Sequence, residues 1–171
     1  MRKFLTRWGV LRRNDDGVVV IEFALWSTLF FLVVSVAMDF GTFFIQRGKI
    51  NEAVTATAVA TFNGPETVAW SSLQTYVRGL TEDPSVDVTY QCNGGISACG
   101  NGTRTCACLK TDGTYQSASA CGDPCGTGTT ANSTAGYYVT ITATQNFDPV
   151  IVPSGILDDA QIVQSATIRL Q

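Results

Sequence analysis

The chain has 171 residues, 15% of them charged, with a net charge of −3 and no histidine. That length accommodates one modest domain plus an anchor, and the missing histidine removes the commonest general base and metal ligand. The charge is divided: residues 1–17 carry five basic side chains against two acidic ones, while the remainder carries six against twelve, so the acidic body is unsuited to nucleic acid, whose phosphates are met by Lys and Arg.

Residues 1–16 are basic and then polar, with Arg2, Lys3, Arg7, Arg12 and Arg13 ahead of Asp15 and Asp16. The apolar run GVVVIEFALWSTLFFLVVSVAMDFG follows at 17–41, and sixteen uncharged residues separate Glu22 from Asp39. As a helix, Val18 to Asp39 extends about 32 Å, enough to cross a hydrocarbon core of about 30 Å. A transmembrane segment is therefore expected in about 18–45, with the basic flank inside and the body outside. The run exceeds an ordinary signal-peptide core, and Ala58-Val59-Ala60 lies too far beyond it for a cleavage site. A plain signal anchor explains the span but not Glu22, since a carboxylate in hydrocarbon costs about 2 kcal/mol or more. Asp39, at the outer end, reads as a solvated charge on the helix face.

Helical spacing continues past Gly48. Ile50, Ala53, Val54, Thr57, Ala58 and Phe62 recur at three- and four-residue intervals, and the small side chains of AVTATAVAT suit close helix contact. Asn63-Gly64-Pro65 ends the pattern, which predicts one helix over 18–62. Pro65 suits the first position of a second helix, whose apolar face is expected to hold Val68, Ala69, Ser72, Leu73, Tyr76, Val77 and Leu80 and to cover a sheet. Val86, Val88 and Tyr90 alternate with polar residues, as do Val139, Ile141, Ala143 and Phe147 in 138–147, and Ala160, Ile162, Ala166, Ile168 and Leu170 at the end of the chain. Asp148-Pro149 and Pro153-Ser154-Gly155 punctuate the last link. The fold class is α+β: a long N-terminal helix, then a head over 63–171 with one helix on a small antiparallel sheet.

Residues 92–136 hold nine of the sixteen glycines and all six cysteines, Cys92, Cys99, Cys106, Cys108, Cys121 and Cys125. Paired C-x2-C zinc knuckles and a redox C-x-x-C are both absent. An even count after an apolar segment reads as three structural disulfides in an oxidising compartment. Fifteen pairings are open; Cys106 and Cys108 are too close to pair, whereas neighbours such as Cys121 with Cys125 are compatible. Asn101-Gly-Thr and Asn132-Ser-Thr match a glycosylation pattern but read as turn residues. No serine-nucleophile elbow or phosphate loop occurs, and Asp158-Asp159 reads as a solvated pair, so neither an enzyme nor a bound metal or cofactor is expected.

Gly17, then four apolar residues, then Glu22-Phe23 at the head of a long apolar helix resembles the processing site of type IV pilin-like precursors. RRNDDGVVVIEFAL, with Met38-Asp39-Phe40-Gly41 near the end of the run, is similar to TadE-like pseudopilins, minor pilin components of the tight-adherence (Tad, or Flp) system; YYVTITATQNF and the final strand resemble their tail more loosely. The resemblance implies a leader over 1–17 removed by a prepilin peptidase between Gly17 and Val18. It also implies recognition and assembly through Glu22 and Phe23, and a head held in the periplasm by the inner membrane before entry into a pilus. Partners would be other minor or major pilins and the inner-membrane pilus machinery. The alternative is a membrane-anchored or tip-borne, disulfide-stapled adhesin.

Overall fold

A computed structural model describes residues 16–96, 98–102, 104–150, 152 and 160–171. Residues 1–15 of the expected leader over 1–17, Pro153-Ser154-Gly155 and Asp158-Asp159 lie outside the described residues.

Helix α1, Asp16–Asn63, runs 48 residues without a break, about 72 Å at ~1.5 Å per residue. It ends where the sequence predicts, at Asn63-Gly64-Pro65. Its surface divides in two along its length. From Gly17 to Met38 nearly every side chain is exposed, Val18, Phe23 and Leu25 among them. From Asp39 onward one stripe turns inward: Asp39, Phe43, Gln46, Ile50, Ala53, Val54, Thr57, Ala58 and Thr61. The stripe follows helical spacing. Its two threonines satisfy their hydroxyls on the helix itself, Thr57 donating to the Ala53 carbonyl at 2.7 Å and Thr61 to that of Thr57 at 2.8 Å. Thr61, not Phe62, closes the stripe; Phe62 is exposed.

The second helix is shorter than its periodicity predicts. Two 3-10 turns, Pro65–Thr67 and Trp70–Ser72, precede α2, Leu73–Thr81. The cause is a distant side chain. Asn101 accepts from the Val68 N–H at 3.2 Å and donates to the Val68 carbonyl at 3.0 Å, occupying both backbone groups that a continuous helix would use. With α2 this short, its buried line is Leu73, Val77 and Thr81, while Tyr76 and Leu80 are exposed. Glu82 stops it in a left-handed conformation, φ 56°.

Strands β1 (Asp87–Cys92), β4 (Tyr138–Asn146) and β5 (Gln161–Arg169) form an antiparallel sheet in the order β1-β4-β5; β2 (Ala107–Leu109) and β3 (Tyr115–Ser117) form a separate hairpin. The central β4 buries Val139, Ile141 and Ala143 completely and turns its threonines outward, as alternation requires. Register puts Ile141 opposite Tyr90 on one side and Ala166 on the other. Tyr90 lies on the same face as Ile141, but at the sheet edge it stays 39% exposed and packs on Trp70 with ring centroids 5.5 Å apart. Helix α1 lies across β5 and β4, with α2 against α1 and β1. The long helix is thus the main cover of the sheet, and its second half belongs to the core of the head.

Gly136 shows how tightly the hairpin joins the sheet. It exchanges backbone hydrogen bonds with Ala107 at 2.8 and 3.0 Å. A Cβ there would collide with the Arg169 side chain and the Gln171 carbonyl.

Candidate functional site

Two regions of α1 carry the functional geometry. At its start, Gly17, Val18, Glu22 and Phe23 stand on bare helix. Glu22 lies one turn, about 6 Å, beyond Val18 on the same face. It is the one formally charged residue in 18–38, and no ion pair within the chain reaches it among the described residues. Ser27 and Thr28 return their hydroxyls to the Ala24 carbonyl at 3.0 and 2.8 Å, so their polar groups are internally satisfied. The helix is long and apolar enough to cross a membrane, and none of its most apolar window is buried by protein.

Twenty-one residues past Val18, the helix meets the head at Asp39. The carboxylate, expected to be solvated, is 2% exposed. Its Oδ1 accepts the Val150 N–H at 3.2 Å and its Oδ2 the Val152 N–H at 2.6 Å. Buried carboxylates need such charge-assisted partners, and here they come from the chain that leaves β4. One turn on, Phe43 meets Phe147 edge to face with centroids 5.2 Å apart. The head is therefore fastened to α1 immediately beyond the bare apolar stretch. Asp39 shares a face with Phe43, Gln46 and Ile50, which was the signal available in the sequence that it points at protein.

The cysteine-rich region is stapled by Cys92–Cys99, Cys106–Cys121 and Cys108–Cys125, leaving no free thiol. Cys121 and Cys125 are not partners. The β2–β3 hairpin sets Cys106 and Cys108 beside the segment carrying Cys121 and Cys125, so the two bridges run in parallel across one gap. Asn93, buried with φ 50°, ties the region to the sheet by donating to the Thr105 carbonyl at 2.6 Å and accepting the Tyr138 N–H at 2.9 Å. Asn101 is a strut rather than a turn residue, because it also accepts from the Trp70 indole at 3.2 Å. Arg104 stacks over the buried Tyr137 ring, 5.0 Å from its centroid, and donates to the Pro65 carbonyl.

Among the described residues no group of three or more Cys, Asp or Glu is placed to hold a metal. Two carboxylates titrate below the usual range for a local reason. Asp83 accepts from the Ser85 hydroxyl and N–H, which outweighs its partial burial, and Asp112 accepts from the Thr114 hydroxyl and N–H in the same way.

A bare apolar helix whose second half is built into a small, disulfide-stapled α+β head defines a helix-anchored head protein. The family model described as TadE-like protein matches residues 17–59, about a quarter of the chain, covering Gly17, Glu22 and the stripe from Asp39 to Ala58. The similarity to TadE-like proteins lies along helix α1 and stops short of the head. No curated protein and no solved structure matches it.

Proposed function

We propose that this chain is a minor pilin or pseudopilin of a Tad-type pilus, cut by prepilin peptidase between Gly17 and Val18. Residues 18–38 then hold it in the bacterial inner membrane, with the head on the periplasmic side, until it joins other pilins and the inner-membrane pilus machinery. The span is drawn shorter than the 18–45 expected from sequence because Asp39 and Phe43 are committed to the head. Over 18–38 the helix rises about 32 Å, which still matches the hydrocarbon.

The observation that carries this reading is the bare helix: apolar, uncovered by its own protein, and bearing one carboxylate near its start. Cleavage after Gly17 gives Val18 a free α-amine, a cation one turn from Glu22. A neighbouring subunit shifted by about a turn brings its carboxylate to that amine, and buried charges persist when paired in this way. The role is structural and needs neither catalysis nor a cofactor.

Glu22→Ala separates assembly from insertion. The variant is expected to reach the membrane fraction in normal amount and to fail in pilus assembly; normal piliation would overturn the pairing.

A further inference from the structure

The place where the head joins α1 coincides with the place where the helix leaves the membrane, and this has a consequence for the head's own surface. The midpoint of 18–38 is Thr28. Asp39 lies eleven residues further on, about 16 Å along the axis, against a hydrocarbon half-thickness of about 15 Å. The Val150 N–H, bonded to Asp39 Oδ1, is therefore held at the boundary between acyl chains and headgroups. The Val150 side chain is 85% exposed, the most exposed large apolar side chain among the described residues. Phe40 and Phe44, one turn apart on the flank of the same stretch, are 44% and 62% exposed. Val150 and Phe40, the latter about 18 Å from the midpoint, stand near one level, and Phe44 continues the apolar surface one turn, about 6 Å, further out; continuous with the bare apolar helix, they form a collar at the bilayer surface.

We propose that Val150 and Phe40 seat the head in the outer interfacial layer of the lipid bilayer, with Phe44 at that layer's outer edge, and that Asp39 is the positioning residue that keeps Val150 there. The inference rests on the membrane span proposed above. It accounts for why the carboxylate that holds the Val150 and Val152 amides is buried: at this depth, bare N–H groups and a bare charge are both costly. Aromatic rings at a membrane–water boundary are favoured for the same reason. The head is then oriented before assembly, resting on the membrane rather than swinging on a free stalk.

Because every native cysteine is bridged, a single introduced thiol takes a nitroxide label under non-reducing conditions. The full chain, labelled at Val150→Cys, is reconstituted in vesicles of phosphatidylethanolamine with a minority of phosphatidylglycerol, and its accessibility to oxygen and to a water-soluble nickel chelate is compared. Labels at Leu29→Cys, mid-helix, and Glu66→Cys, beyond the far end of α1, give the lipid and water references. The collar predicts an oxygen-to-nickel ratio at Val150 several-fold above Glu66 and below Leu29, falling toward Glu66 when Asp39→Ala is added. A deep Leu29 with Val150 equal to Glu66 overturns the collar and leaves the span standing. Leu29 equal to Glu66 overturns the span and the collar together. Dipolar broadening at Val150 without preference for oxygen points to contact between copies and also overturns the collar.

Discussion

The two parallel bridges of the cysteine-rich region make a quantitative prediction. Alone, Cys108–Cys125 closes a 17-residue loop, which on the loop-entropy scale is worth about 3 kcal/mol. With Cys106–Cys121 in place the chain is already gathered. The shortest path from Cys108 to Cys125 then runs two residues back to Cys106, across the bridge, and four residues on from Cys121. A loop of about six residues is worth about 2 kcal/mol on the same scale. Replacing Cys108 and Cys125 by alanine should thus cost about 2 kcal/mol when the other bridge is intact and about 3 kcal/mol when it has been removed. Urea unfolding of the detergent-solubilised full chain, followed by near-ultraviolet circular dichroism through the four-variant cycle, measures both. Equal costs in the two backgrounds, or a peptide map linking Cys121 to Cys125, would refute the shared-loop arrangement.

Asp39→Ala leaves the Val150 and Val152 amides without their carboxylate; hydrogen exchange at both should accelerate in proportion to a loss of about 1–3 kcal/mol, while exchange along β4 changes little. Gly136→Ala should destabilise by about 1–3 kcal/mol through collision with Arg169 and Gln171. Gly79→Ala, in open space on α2, should stabilise by up to about 1 kcal/mol from helix propensity; urea midpoints compare the pair. For Asp83, hydrogen bonds from Ser85 hold the folded carboxyl below its unfolded value, so its contribution is present above about pH 3.9 and is lost as pH falls through the lower folded value. The advantage of wild type over Asp83→Ala should be full at neutral pH and shrink on acidification; a constant difference in urea midpoint would contradict it.

Much of this architecture is legible in local pattern. The exposed span, the helix end at Asn63-Gly64-Pro65 and the alternation of Val139, Ile141 and Ala143 each depend on neighbours a few residues away. What escaped local pattern depends on long-range contacts. Helix α2 loses its first turns because Asn101, over thirty residues distant, takes both backbone groups of Val68. Disulfide partners follow from the β2–β3 hairpin, which spacing does not encode. Asp39 misleads hydropathy, since an aspartate ending an apolar run looks like a charge reaching water. Its helical phase with Phe43, Gln46 and Ile50 says otherwise, but nothing in the sequence announces that its partners are the amides of residues 150 and 152. Glu22 is the opposite case. Its exposure on a bare helix is plain, while the partner proposed for it, the α-amine of Val18, does not exist in the uncut chain.

The most direct test of the functional reading is the mature N-terminus. Intact-mass and N-terminal peptide mass spectrometry of the protein isolated from its native membrane should find a chain beginning at Val18, with the basic leader gone and all six cysteines oxidised. A chain that retains residues 1–17, or begins anywhere other than Val18, would contradict processing at Gly17 and the pairing of Glu22 with the new amine.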